Sequence, residues 1–191
     1  MERGLLEVPA AHSGSAEQAH PALLVFHLSD KIFALPLASI ERLVPIAALA
    51  HPPGMPALLE GVLNLAGEAV PTLRLDRLFA LPEQRVGLYS TLVVVRARDV
   101  CESHVREGAD GRFALLVEQA SHILQAGAGV LFPIGEGFTW NGCVDAVVQA
   151  KEGPIPVLCP AKMLLETERE ALRDFQVISR RRMDQWQGGA A

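Results

Sequence analysis

The sequence predicts a mainly β protein built from two similar small barrels or half-barrels packed together, followed by a C-terminal helix. Short aliphatic runs alternate with turn residues along most of the chain, one such β unit is written twice, and the last segment carries a helical start signal and period.

Composition supports a folded core. The chain has 191 residues, of which 50% are hydrophobic and only 5% aromatic, so Val, Leu, Ile and Ala must fill the interior. That length fits one domain or two small subdomains sharing a core. A net charge of -5 argues against general nucleic-acid binding, which draws its affinity from clustered Lys and Arg. The longest basic run, Arg180-Arg181-Arg182, reads as a solvated helix face. Cys101, Cys143 and Cys159 form no CxxC and cannot all pair within one chain, so a reducing compartment is the simpler expectation. No apolar run approaches the ~20 residues that span a bilayer, and Met1-Glu2-Arg3 opens no secretory signal. A cytoplasmic protein without direct membrane insertion is expected.

Residues 1–20, rich in Ala, His, Ser and Pro, read as a flexible tail. Leu23–Leu28 reads as a strand, Ser29-Asp30-Lys31 as a turn and Ile32–Leu35 as the returning strand. Ile40, Leu43 and Val44 supply another apolar stretch. The connector His51–Pro56 holds too much proline for a central strand. Gly61–Leu65 and Ala69–Leu73 flank a Gly67-Glu68 turn, and Asp76–Ala80 reads as a short helix stopped by Pro82.

Much of this order then recurs. Thr91–Val95 is a strand, residues 98–111 a polar loop, and Phe113-Ala114-Leu115 echoes Phe33-Ala34-Leu35. Ile123-Leu124 stands at the same offset from Phe113 as Leu43-Val44 does from Phe33. Gly142–Val148 leads through a Gly153 turn into Pro156-Val157-Leu158. Pro71 is followed by Leu73, Arg77, Leu78 and Phe79; Pro156 is followed at identical offsets by Leu158, Lys162, Met163 and Leu164. The repetition implies two packed units, which together cover most sheet edges. The organisation read from the chain is a tail over 1–20, a body over 21–166 with a boundary near 82–88, and a helix over 167–187. Thr167-x-x-Glu170 has the form of a capping box, Leu172, Phe175 and Ile178 follow on roughly one face, and Gly188-Gly189 ends the helix.

A catalytic constellation is not found. Cys101-x-x-His104 is the one local pair of soft ligands, too few for zinc. Cys143 and Cys159 fall at strand positions, where a thiol is most often a small buried hydrophobe. The six histidines are scattered, and His27 and His122 lie on strands. Gly127, Gly129, Gly135 and Gly137 lack the strand-then-helix setting of a phosphate cradle. Asp76, Glu118 and Asp145 read as solvated rims beside strands. No enzyme activity and no cofactor are expected.

The stretch Gly61-Val62-Leu63-Asn64-Leu65-Ala66-Gly67-Glu68-Ala69-Val70-Pro71-Thr72-Leu73-Arg74-Leu75 resembles the signature of the CheW-like chemotaxis adaptor family, roughly G-V-x-N-L-R-G-x-x-V-P-x-x-D-L. Leu24-Val25-Phe26 and Phe33–Leu37 fit that family's first two strands, and Ala114–Glu118 its G-x-x-V-D element; the likeness runs from about Ala22 to Leu172. The resemblance implies two intertwined five-stranded SH3-like β-barrel subdomains with short helices and a C-terminal α-helix. It also implies a non-enzymatic scaffold that couples a chemoreceptor to a CheA-type histidine kinase at membrane-associated receptor arrays. Its partners are the kinase's regulatory domain and the cytoplasmic tip of the receptor. The receptor groove, carried over by position, comprises Ile40, Arg42, Val44, Asn64, Leu65 and Ala66, whereas no kinase-binding residue is assigned. Ile40, Val44 and Leu65 also read as plain core, and Asn64 as a residue satisfying its own turn. Ala66 stands where the family has Arg, Arg74 near its Asp, Glu118 for Asp and Ala114 for Gly. Losing a guanidinium removes five donors and a charge, which points to an accessory or surface-sensing pathway. The competing expectations are a small-molecule-binding β-barrel without kinase coupling and a metalloenzyme using Cys101 and His104.

Overall fold

The computed structural model describes residues 21–96, 111–134, 140, 142–164, 168, 170, 174, 175, 177 and 178. Its strands begin with β1 (Leu23–Leu28) and β2 (Lys31–Pro36), joined by a two-residue turn in which Ser29 has φ +55°. A 3-10 turn at Leu37–Ser39 leads to β3 (Ile40–Pro45). The proline-bearing connector carries no strand, as its missing N–H groups require. Next come β4 (Leu59–Leu65), β5 (Glu68–Arg74) and the one-turn helix α1 (Leu75–Leu78). The β4–β5 turn is Ala66-Gly67, one residue earlier than expected, with φ values of +52° and +88°.

In the second half β6 (Thr91–Arg96), β7 (Arg112–Val117) and β8 (Gln119–Leu124) fall where the repeat places them. The short strand β9 (Val130–Pro133) was not expected, because its apolar run is brief and sits among glycines. It adds to the edge of β10 (Val144–Ala150), which pairs with β11 (Gly153–Leu158), and a 3-10 turn at Pro160–Lys162 follows.

The strands form a six-stranded sheet, β8-β1-β2-β11-β10-β9, and a five-stranded sheet, β3-β6-β7-β5-β4. Each half therefore lends its opening hairpin to the sheet completed by the other half. The two insertions share one register: Thr72 of β5 pairs in parallel with Ala114 of β7, and Val157 of β11 pairs in parallel with Ala34 of β2. Both contacts lie one residue past the equivalent prolines, Pro71 and Pro156, which have no N–H to give a ladder.

The expectation of two five-stranded SH3-like barrels needs correction, since one sheet has six strands and neither ladder closes. In the five-stranded sheet a single antiparallel bridge, Ala50 with Val62, links the chain beyond β3 to the opposite edge at β4. Pro45 and the prolines after His51 keep that contact from growing into a ladder. Gly61 permits the approach, because a Cβ there would meet Leu49 Cβ at 2.7 Å.

Three apolar clusters follow from the alternation of side chains across strands. Leu23, Val25, Ala34, Val148 and Val157 form a cluster on the face of the six-stranded sheet away from the central core, called the concave face. Leu63, Val70, Leu92, Val94 and Leu116 do the same for the five-stranded one. The intervening residues, among them Leu24, Phe26, Leu28, Val93, Val95 and Leu115, meet in one core between the sheets. Phe33 stands within it, 5.5 Å from the Phe79 ring and 5.3 Å from Trp140. Strands of the inserted hairpins are thus buried on both faces, which is why they read as unbroken aliphatic runs. Glu168, Glu170, Asp174, Phe175, Val177 and Ile178 have helical backbone, and Phe175 is buried in the central core while Ile178 is exposed. Thr167, Leu172 and the remainder of the expected 167–187 helix lie outside the described residues. Among the described residues no helix is long and apolar enough to cross a membrane.

Candidate functional site

The residues assigned by position to a receptor groove lie on β3 and around the β4–β5 turn, the two edges of the five-stranded sheet. A β-bulge at Glu41 sets which way β3 faces. Ile40 pairs with Val95 and Leu43 with Val93, whereas Arg42 pairs with Val94 and Val44 with Leu92. The extra residue breaks simple alternation. Ile40 and Leu43 consequently share the face of the central core, and Arg42 and Val44 share the concave face. Glu41 itself accepts a hydrogen bond from Arg96 Nε at 2.8 Å and forms an ion pair with Arg112 Nε at 2.8 Å, and Arg112 also pairs with Glu68. The Arg96 bond leads in holding the Glu41 carboxyl below its ordinary range.

Ile40 is partly buried against the central core. Val44 and Leu65 are brought together, both packing on the concave cluster of the five-stranded sheet. Arg42, Asn64 and Ala66 are exposed. Asn64 Oδ1 accepts the Gly67 N–H at 2.9 Å, closing its own turn and leaving Ala66 at the tip. The six residues accordingly occupy two faces and a turn. Sequence reading passed over Leu43, whose side chain is 46% exposed beside Arg42. Its equivalent in the second half, Ile123 on the edge strand β8, is 45% exposed. The groove residues are carried over by position from the family resemblance, which does not include Leu43.

The carboxylates considered for chemistry are occupied. Asp76 is buried and not a solvated rim: it takes Arg74 Nε at 2.8 Å in a bidentate pair and accepts the N–H groups of Arg77 and Gln84 at 3.0 and 2.9 Å. Burial raises its pKa, but the Arg74 guanidinium and those two amides more than offset this and hold it below the ordinary value. Arg74, whose pKa is raised chiefly by its bond to Asp76, also reaches Glu60 at 3.3 Å. Glu118 accepts the Arg85 N–H at 2.9 Å, and Asp145 holds Lys162 Nζ at 2.5 Å.

His122 stands 3.2 Å from Ser121 Oγ and 3.9 Å from Glu152; all three are exposed, the first two on the edge strand β8 and Glu152 in the β10–β11 turn. The second distance is an ion-pair separation and not a hydrogen bond. No group of three or more metal-ligating side chains occurs among the described residues, and Cys101 and His104 lie outside them. Cys143 and Cys159 are buried, as small apolar side chains would be. Burial pushes the Cys143 thiol up to about 12, far from nucleophilic at neutral pH. Cys159 is disulfide-bonded, which departs from the expectation of reduced thiols throughout.

The chain is similar to known proteins in two ways. The family described as "CheW-like domain" matches residues 22–168. The fold is similar to the crystal structure of scaffolding protein TtCheW from Thermoanaerobacter tengcongensis, with a TM-score of 0.60 and 16% identity, over 78% of this chain and 88% of that one. Among curated proteins none gives a significant match. The structural likeness establishes a shared fold, and the match over residues 22–168 goes further: the chain belongs to the CheW-like domain family.

Proposed function

We propose that this chain is a non-enzymatic adaptor coupling the cytoplasmic tip of a chemoreceptor to the regulatory domain of a CheA-type histidine kinase at membrane-associated arrays. The family match over residues 22–168 carries this reading. Two open sheets with apolar side chains on exposed edge strands suit docking of another β domain. In the receptor groove we assign Ile40, Arg42, Val44, Asn64, Leu65 and Ala66. Of these, the exposed Arg42, Asn64 and Ala66 make direct contact, and Ile40, Val44 and Leu65 hold the backbone that presents them. Without a guanidinium at position 66, receptor affinity rests on Arg42 and apolar contact, which fits an accessory or surface-sensing pathway. Coupling requires different affinities for the kinase's active and inactive arrangements, since equal affinity shifts neither.

The test is calorimetry of the purified chain against the regulatory domain of a CheA-like kinase from the same organism. Micromolar binding that falls at least tenfold in Leu43→Glu or Ile123→Glu supports the adaptor. No binding to any such kinase would move the assignment to a ligand-binding barrel, to be sought by ligand-dependent melting shifts.

A further inference from the structure

The segment between α1 and β6 carries a buried polar side chain without a hydrogen-bonding partner among the described residues. The Gln84 side chain is 3% exposed, and neither its Oε1 nor its Nε2 has a hydrogen-bonding protein partner. A buried amide without a protein partner costs desolvation free energy, which favours an arrangement that exposes it to solvent. Its neighbours are held instead by their backbone. Pro82 O accepts Ser29 Oγ at 2.7 Å, Gln84 N–H donates to Asp76 Oδ2 at 2.9 Å, and Arg85 N–H donates to Glu118 Oε1 at 2.9 Å.

Those three anchors belong to different parts of the fold. Ser29 is in the β1–β2 turn of the six-stranded sheet, and Asp76 is in α1, which follows the five-stranded sheet. Glu118 sits at the crossing from β7 to β8, where its N–H donates to His27 O at 3.1 Å. Residues 82–85 therefore lie across the junction of the two sheets, tied by these bonds and by an ion pair of the exposed Glu83 with Arg74 at 3.7 Å, and to neither sheet by a ladder. Beyond them Val86 is 49%, Leu88 90% and Tyr89 76% exposed, so little apolar burial opposes release.

We propose that residues 82–85 form a strap with a docked and a released state, and that the buried Gln84 amide sets the balance between them. Docked, the strap joins the β1–β2 turn to the β7–β8 crossing. Released, it leaves the apolar core and the Glu118–His27 backbone bond to hold the two sheets together at that end. This inference is independent of which partners the chain binds.

Amide hydrogen exchange on the full chain, read residue by residue, is the test. The Gln84 and Arg85 amides are expected to exchange about a hundredfold faster than ladder amides of Val93, Val95 and Leu115, since local release needs no global unfolding. Gln84→Leu removes the unpartnered amide and is expected to slow both by about tenfold. Ser29→Ala, on a partly exposed turn, is expected to speed both while leaving the ladder amides unchanged. Exchange of Gln84 and Arg85 at the ladder rate in the unmodified chain would overturn the proposal, as would Gln84→Leu leaving their rates unchanged or raised.

Discussion

The two halves share a backbone plan down to its irregularities but differ in what fills one corner. Where β4 pairs with β5 the register shifts between Leu59 and Gly61; where β10 pairs with β11 it shifts between Val144 and Ala146, at equivalent residues. The extra residue at each bulge is acidic, and each pairs with a base 17 positions later, Glu60 with Arg77 and Asp145 with Lys162. The bulges in β3 and β8 likewise fall at equivalent places, Glu41 and Ser121. In the first half, however, a buried ion pair joins Arg74 to Asp76. Cys159 and Ala161 stand at the equivalent positions of the second half. The same bend is thus achieved with and without buried charge. What the pair adds in the first half is an acceptor for the Gln84 N–H, the feature that anchors the strap.

Removing that pair should have the largest effect. Asp76→Ala leaves Arg74 buried without its main partner and is expected to lower stability by about 3–5 kcal/mol in urea unfolding. Lys162→Ala, at a half-exposed pair, should fall under about 1 kcal/mol. Equal losses at the two sites would mean that the halves are energetically alike after all.

The same pair predicts a pH response. The folded-state pKa of Asp76 lies below its unfolded value of about 3.9, so its contribution is complete above about pH 4 and is lost as pH falls further. Asp76→Asn should flatten that acid limb. An unchanged limb would locate the acid sensitivity elsewhere.

Gly61 and its equivalent Ala146 sharpen the comparison a second way. Gly61→Ala pushes a Cβ against Leu49 and is expected to cost about 1–3 kcal/mol, whereas Ala146→Gly should cost about 1–2 kcal/mol through chain entropy and the loss of a buried methyl. A tolerated Gly61→Ala would show that the Ala50–Val62 bridge is dispensable.

The smallest expected effect is at the turn with no counterpart constraint. Ala66 holds φ +52°, which L residues disfavour, so Ala66→Gly should raise stability by about 0.4–1 kcal/mol in thermal melts. Destabilisation would mean that the Ala66 methyl group makes a contact worth more than the backbone strain.

Much of the fold was legible because its signals are local. Leu23–Leu28 and Thr91–Val95 read as strands from their aliphatic runs alone. Pro71 and Pro156 mark equivalent positions, and the shared offsets of Phe33 and Phe113 expose the duplication. The resemblance of Gly61–Leu75 to one family needed only residue order. The binding surface was less legible. A single bulge at Glu41 put Leu43 on the same face as Ile40, where it is left 46% exposed, and no pattern in residues 40–45 discloses a bulge.

The sequence by itself therefore determined that this is a duplicated β protein of the CheW-like type, since strand propensity, turn residues and repeat offsets are properties of neighbours along the chain. Only the tertiary structure decided that each half gives its hairpin to the other half's sheet, that the ladders stay open, and that Asp76 is buried against Arg74. Those outcomes depend on pairings between residues far apart in the chain. They are chosen by which apolar faces can be covered together, and that is a property of the assembled core.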